Sequence, residues 1–165
     1  MPAALAAGGV WGVINNIRGH GRADADSHEV RPVVEASAQE LAADLAPFRA
    51  LSDAAMAMTA HVRFAAWDQE NCATQSATVI GEVIRGEIGF DGLLLSDDLT
   101  MEALSGSLAE RARTALTAGC DLVLMGSGRL ADNVAVAGAA ADAGAGAAAR
   151  VGRAVGAVAC KAFAH

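Results

Sequence analysis

The chain has few aromatic residues and few cysteines. Aromatic residues make up 4% of the 165 residues, and tyrosine is absent. A core built from this sequence must therefore consist mainly of Ala, Val, Leu and Ile. Cys72, Cys120 and Cys160 are odd in number and far apart. This spacing argues against a disulfide framework or a zinc site and indicates free thiols in a reducing cytosol.

Basic clusters and long apolar segments are also missing. The formal net charge is −7, which disfavours binding to nucleic acid or to an anionic membrane by general electrostatics. No segment reaches the roughly 18 continuous apolar residues of a membrane span. The first residues carry no basic segment before their apolar stretch, which argues against a signal peptide. We therefore expect a cytoplasmic protein with no nucleic-acid and no membrane partner.

Apolar residues nevertheless make up 53% of the chain, enough for a sizeable core. Short apolar runs predict strands that begin near residues 10, 55, 92 and 121. Helical spacing follows each run, and the predicted helices lie over 37–48, 79–88, 108–118 and 132–141. The first of them begins at a capping box, Ser37 to Glu40. This alternation predicts an α/β fold with a parallel sheet covered by helices.

We divide the chain into residues 1–134, which carry this pattern, and residues 135–165. The second segment is almost entirely Ala, Gly and Val. Its composition predicts a weak helix or a disordered tail.

Two segments carry candidate catalytic side chains. The loop from Gly19 to His28 holds two histidines and two aspartates, and the apolar run from Leu93 ends at Asp97 and Asp98. A carboxylate at a strand end, facing a loop with an imidazole beside another carboxylate, supplies a nucleophile, a proton donor and a group that orients the donor. Asp97 could equally be a helix cap or a turn residue, and Asp98 could share its role or tie down the loop.

The histidines leave further alternatives open. His20 and the pair Asp26 and His28 could take part in chemistry or be solvated loop residues. A divalent ion could bind where several of these side chains converge, namely His20, Asp24, Asp26, His28 and His61. Neither H-x-H at a strand end nor H-E-x-x-H is present, so we expect no metal and no cofactor. Gly126-Ser127-Gly128 lacks the pattern of a phosphate loop and predicts a simple turn.

Several blocks of sequence together resemble one family. They are G-H-G-x4-D-S-H at 19–28, M-T-A-H-V at 58–62, G-E-I-G-F-D-G at 86–92 and S-D-D-L-T-M at 96–101. In this order they resemble the C-terminal half of a family-3 glycoside hydrolase, in the bacterial β-N-acetylglucosaminidase branch of peptidoglycan recycling. The resemblance implies the last four βα units of a (β/α)8 TIM barrel. The first four units would then have to come from a complementing half barrel or be replaced through self-association.

The same resemblance implies roles for individual residues. Asp97 would be the nucleophile, His28 the general acid/base and Asp26 its partner. The substrate-binding residues would be His20, Asn15, Asn16 and His61. The family usually reads K-H-x-P-G-H-G where this chain has Asn15, Asn16, Ile17 and Arg18 before Gly19. A cation and an imidazole that contact the sugar are thus replaced by two amides.

The implied activity is hydrolysis of O-glycosyl bonds. Terminal non-reducing β-N-acetylglucosamine would be removed from peptidoglycan fragments by a retaining double displacement. One alternative is a catalytically inactive barrel fragment that acts only through assembly with a partner. The other is a metal-dependent barrel hydrolase.

Overall fold

A four-stranded parallel sheet forms the centre of the fold. The computed structural model describes residues 10, 12–17, 19, 21–23, 25, 31–140 and 145–162. The strands are β1 (Val13–Ile14), β3 (Met56–Met58), β5 (Leu93–Asp98) and β6 (Leu122–Leu124), and they lie in the order β1-β3-β5-β6. All three pairings are parallel. The parallel sheet predicted from the sequence is confirmed.

A second parallel pair lies outside this sheet. It joins β2 (Val33–Val34) to β4 (Arg63–Phe64). The sequence did not predict this pair, because a strand of two residues leaves no apolar run. The first strand begins at Val13 rather than near residue 10. Asn16 has φ 53°, a left-handed conformation that ends the extended segment.

Six helices follow or flank the strands in the described part of the chain. They are α1 (Ala38–Asp44), α2 (Ala46–Arg49), α3 (Val79–Glu87), α4 (Leu108–Ala118), α5 (Leu130–Ala139) and α6 (Ala145–Ala162). The predicted capping box at Ser37 and Glu40 is present, and α4 begins with an equivalent box at Ser107 and Glu110. Helix α3 is wound as a π-helix. Gly119, at φ 118°, ends α4 as predicted.

The two faces of the sheet have different surroundings. Ala57 and Leu94 point into the main core and are fully buried. Side chains alternate between faces along a strand, and on the opposite face Val13 is 42% exposed and Leu122 and Leu124 are each 37% exposed. Helices therefore cover one face, and the other leaves large apolar side chains in contact with solvent.

The Ala/Gly-rich tail is helical where the structure describes it. Arg150 of α6 binds Asp121 with Nη1 at 3.0 Å and Asp91 with Nε at 3.3 Å, and Arg153 binds Asp91 at 3.1 Å. These ion pairs tie α6 to the segments that lead into β5 and β6. The boundary that we placed between residues 134 and 135 falls within α5. Among the described helices, none has the length and apolar character needed to span a membrane.

Candidate active site

The candidate site lies at the carboxyl ends of the parallel strands. Asn15 and Asn16 follow β1, His61 follows β3 by three residues, and Asp97 and Asp98 end β5. Because the strands are parallel, these residues lie at one edge of the sheet. One strand separates β1 from β5, which places the asparagines roughly 10 Å from the aspartates at the usual strand spacing.

The loop that carries the predicted acid/base is only partly described. His20, Asp24, Asp26 and His28 lie outside the described residues. A neighbouring part of the loop contacts α1, because Arg22 Nε donates to Asp44 Oδ2 at 2.6 Å. The roles predicted for Asp26, His28 and His20 therefore stay predictions.

Strand β5 contains an irregularity next to its carboxylates. Leu95 is paired with Leu122 and Asp98 with Leu124, so β5 has one more residue than β6 between these pairs. Ser96 compensates within this bulge: its Oγ accepts the Leu124 N–H at 3.0 Å and donates to the Asp97 carbonyl at 2.7 Å. A bulge changes the direction of nearby side chains and is common beside active sites. The apolar segment that begins at Leu93 did not predict this bulge.

Asp97 presents a carboxylate that is only partly engaged. The side chain is half-buried, and Oδ1 accepts the Asp98 N–H at 2.8 Å. Oδ2 has no hydrogen bond within the part of the chain that the structure describes. A carboxylate held at one oxygen and free at the other fits the role of a nucleophile.

Asp98 has a different environment. Its Oδ1 accepts the N–H groups of Thr100 at 2.9 Å and Gly126 at 3.1 Å. Partial burial alone would raise the pKa of Asp98, but these bonds outweigh it and hold the pKa below its usual value. A Cβ on Gly126 would collide with the Asp98 carboxylate. Asp98 therefore ties the turn after β6 to the end of β5, which leaves Asp97 as the carboxylate available for chemistry.

His61 is fully buried beside this pair. Its Nε2 lies 3.0 Å from the Asp98 carbonyl oxygen, and Nδ1 lies 2.8 Å from Thr74 Oγ1. A carbonyl only accepts, so Nε2 carries the proton and donates. Burial lowers the pKa of His61, against the opposing effects of the Asp98 carbonyl and of the Asp97 and Asp98 carboxylates. We predicted that His61 contacts substrate; in this structure both ring nitrogens bind protein groups.

The two asparagines differ in exposure. Asn15 is exposed, whereas the Oδ1 atom of Asn16 is buried and has no hydrogen-bond partner among the described residues. Asparagine tolerates the left-handed backbone at this position better than most residues do. Asn16 therefore offers an unused acceptor at the same edge of the sheet as Asp97.

The described residues contain no group of three or more His, Cys, Asp or Glu side chains placed to hold a metal ion. Of the five side chains that we considered as possible ligands, only His61 is described. The metal hypothesis is therefore left without support from the described part of the site.

The chain is similar in sequence to glycosyl hydrolases of family 3. The sequence model "Glycosyl hydrolase family 3 N terminal domain" matches residues 3–160. A Beta-hexosaminidase of Neisseria gonorrhoeae is 44% identical over 126 residues, which are 73% of this chain and 35% of the relative. The chain thus spans about a third of the length of that curated relative.

Solved structures show the same relation. The glycoside hydrolase family 3 beta-N-acetylglucosaminidase of Paenibacillus sp. is 34% identical with a TM-score of 0.81, over 96% of this chain and 32% of that one. NagZ of Neisseria gonorrhoeae, in complex with N-trifluoroacetyl-D-glucosamine, gives the same identity and TM-score over 98% of this chain and 49% of its own.

Proposed function

Since the chain belongs to glycosyl hydrolase family 3, we propose that it contributes the catalytic half of a β-N-acetylhexosaminidase site. The observation that carries this proposal is the contrast between two adjacent carboxylates. Asp98 is bound by two backbone N–H groups, whereas Asp97 keeps a free oxygen at the carboxyl end of β5. The substrate we propose is a terminal β-linked N-acetylglucosamine of a peptidoglycan fragment, by analogy with the relatives' names.

The proposed reaction has two displacements. Asp97 attacks the anomeric carbon, the glycosidic bond breaks, and His28 donates a proton to the departing oxygen. Water then attacks the glycosyl ester, His28 accepts the proton from that water, and Asp97 is released as a carboxylate. Asp26 would orient the imidazole and stabilise its charged form. The family resemblance supports these roles for Asp26 and His28.

Sugar binding at this edge would fall partly to the asparagines. Asn16 Oδ1, which has no partner among the described residues, is an acceptor for a hydroxyl hydrogen bond, and Asn15 and His20 are proposed as further sugar contacts by the family resemblance. Amides cannot supply the positive charge of the usual K-H pair, so we propose weaker substrate binding than in relatives that keep it.

A second candidate function is an inactive barrel fragment that acts only by assembly. Two observations favour it: the amides at positions 15 and 16, and the apolar sheet face that includes Leu122 and Leu124. In either case we propose that a further half barrel, either a second copy or a separate one, covers this face. We also propose a cytoplasmic setting, which the buried free thiols of Cys72 and Cys120 support.

A hydrolysis assay distinguishes the two functions. The chain is assayed alone and co-expressed with the part of the Neisseria gonorrhoeae relative's barrel that it does not match. Aryl β-N-acetylglucosaminides with good and poor leaving groups are compared. We expect Asp97→Asn to abolish turnover of both. His28→Ala should slow the poor leaving group by about 100-fold or more and the good one far less, because an activated aryl group needs little protonation.

Asp53→Asn is the matched control, because Asp53 is an exposed carboxylate in the loop before β3, at the opposite end of the sheet. It should retain full turnover. Absence of turnover in both preparations would favour the inactive fragment, and equal losses on both substrates in His28→Ala would assign that residue a structural role.

A further inference from the structure

His61 is a buried titratable side chain beside the reactive carboxylate, and the proposed reaction gives it no task. It is fully buried, so it does not reach solvent as a proton donor would. Its Nε2–H instead donates to the main-chain carbonyl of Asp98 at 3.0 Å. That carbonyl belongs to the residue whose N–H binds Asp97 Oδ1.

Asp98 is consequently held at several of its polar atoms. His61 binds the carbonyl, and the N–H groups of Thr100 and Gly126 bind the carboxylate. With these atoms fixed, the remaining N–H of Asp98 points at Asp97 Oδ1, 2.8 Å away. The hydrogen bond from Asp98 thereby selects one orientation of the Asp97 carboxylate.

The bulge in β5 makes this support necessary. A regular strand would set the direction of Asp97 through ladder hydrogen bonds on both sides. Here the extra residue interrupts the ladder with β6, and Ser96 Oγ takes the Leu124 N–H in its place. The Ser96 side chain therefore supplies hydrogen bonds within the bulge, at the Asp97 carbonyl and the Leu124 N–H.

Histidine suits this place because it bonds at both ends of the ring. Its Nδ1 lies 2.8 Å from Thr74 Oγ1, in the short 3₁₀ turn Ala73–Gln75, while Nε2 reaches the end of β5. The single hydroxyl proton of Thr74 has two acceptors in reach, Nδ1 and the Ala60 carbonyl oxygen at 3.1 Å. Thr74 Oγ1 also lies 2.8 Å from Thr59 Oγ1. The ring thus connects the turn after β3 to the main chain of Asp98 through buried polar contacts.

We propose that His61 is a positioning residue for Asp97, acting through the Asp98 main chain to hold the carboxylate in the orientation for attack. This inference rests on the proposed function only in its kinetic consequence. The structural part, that the His61 bond maintains the Asp98-to-Asp97 hydrogen bond, holds whether or not the chain turns over.

Two substitutions of His61 distinguish the effect of its hydrogen bond to the Asp98 carbonyl from the effect of changing the side chain's size. In His61→Gln the side-chain amide nitrogen lies near the position of Nε2 and can still donate to the Asp98 carbonyl. In His61→Asn the amide is shorter and reaches only toward Thr74. The two variants are similar in polarity, so each is a control for the other.

The first readout needs no activity. The amide proton resonance of Asp98 is recorded by NMR on the full chain, with Asp97→Ala as the reference for loss of the acceptor. His61→Asn should move this resonance toward that of Asp97→Ala, and His61→Gln should leave it near wild type. An unchanged resonance in His61→Asn, or an equal change in both variants, would overturn the positioning role.

The second readout is the rate of covalent labelling by a 5-fluoro N-acetylglucosaminyl donor, separated into a maximal rate and a binding constant. His61→Asn should lower the maximal rate by about 10- to 100-fold, the size expected for a misplaced reacting group. The binding constant should change less than about twofold. His61→Gln should restore most of the rate; equal losses in both variants would overturn the proposal. Failure of the wild-type chain to label both alone and with the complementing half barrel would contradict the proposed function, and the NMR readout would still decide the role of His61.

Discussion

Asp97 and Asp98 are adjacent and chemically identical, yet the backbone around them gives their carboxylates different hydrogen bonds. The strand-end pattern identified the pair, and the family resemblance selected Asp97 as the nucleophile. The contacts that distinguish the two carboxylates in the structure include the N–H of Gly126, 28 residues away from Asp98 along the chain. A contact of this kind arises from tertiary packing, so local patterns could not predict it. Local patterns also could not predict the burial of His61. A histidine after a strand end is expected to be exposed to solvent, and this one is not.

The buried state of His61 predicts a dependence of stability on pH. Burial lowers the pKa of His61 despite the nearby carboxylates of Asp97 and Asp98, and Arg111 contributes in the same direction as burial. Below a pH of about 6.5 the unfolded chain therefore binds a proton that the native chain takes up only at lower pH. The free energy of unfolding should fall as the pH falls through this range, by at most about 1.4 kcal/mol per pH unit from this group.

Urea unfolding of the wild type and of His61→Gln, which does not titrate, measures this contribution. The wild type should lose more stability than the variant between roughly pH 7 and 5. Parallel curves for the two proteins would show that His61 titrates equally in the native and unfolded states.

At the scale of elements, the sequence located most of the sheet and the helices. Apolar runs marked the strands, and capping boxes and glycines marked the helix ends. Three features were missed because they have no local signal: the pair of β2 and β4, the bulge at the end of β5, and the docking of α6. The composition of the tail predicted a weak helix or a disordered segment. In the structure Arg150 pairs with Asp121, which is 29 residues distant and only 4% exposed.

Asp121 is predicted to be the main anchor of these elements. It accepts hydrogen bonds from Arg85 at 2.8 Å, from the Leu94 N–H at 2.9 Å and from Arg150 at 3.0 Å. Asp121→Ala should lower the free energy of unfolding by about 3–5 kcal/mol, because it leaves buried charge without its partner. Chemical denaturation measures the loss. The exposed Asp53→Ala should stay within about 0.5 kcal/mol of wild type, and a similarly small effect of Asp121→Ala would contradict the anchor role.

At the scale of the whole molecule, the described four-stranded sheet resembles half of a barrel that has not closed. Its edge strands are β1 and β6, and one face presents apolar side chains to solvent. The family resemblance predicted this arrangement from the number of βα units.

The exposed face predicts association of the chain. Val13, Leu122 and Leu124 form an apolar surface beside unpaired strand edges, a combination that favours pairing with another chain. Size-exclusion chromatography with light scattering should detect species larger than the 16.6 kDa monomer. Leu124→Lys should shift the population toward monomer. Leu130→Lys is the matched control, since Leu130 is 78% exposed on α5, and it should leave association unchanged; equal effects of the two substitutions would indicate general surface hydrophobicity instead.

We propose that Asp97 forms the covalent bond to the sugar. This is tested most directly by trapping the glycosyl-enzyme, in the chain alone and with the complementing half barrel, with a 5-fluoro N-acetylglucosaminyl donor that carries an activated leaving group, followed by peptide mapping. We predict one sugar on the peptide that contains Asp97, assigned to that residue by fragmentation and absent from Asp97→Ala. A sugar on Asp98, or on any residue beyond Ser96 to Leu99, would contradict the account.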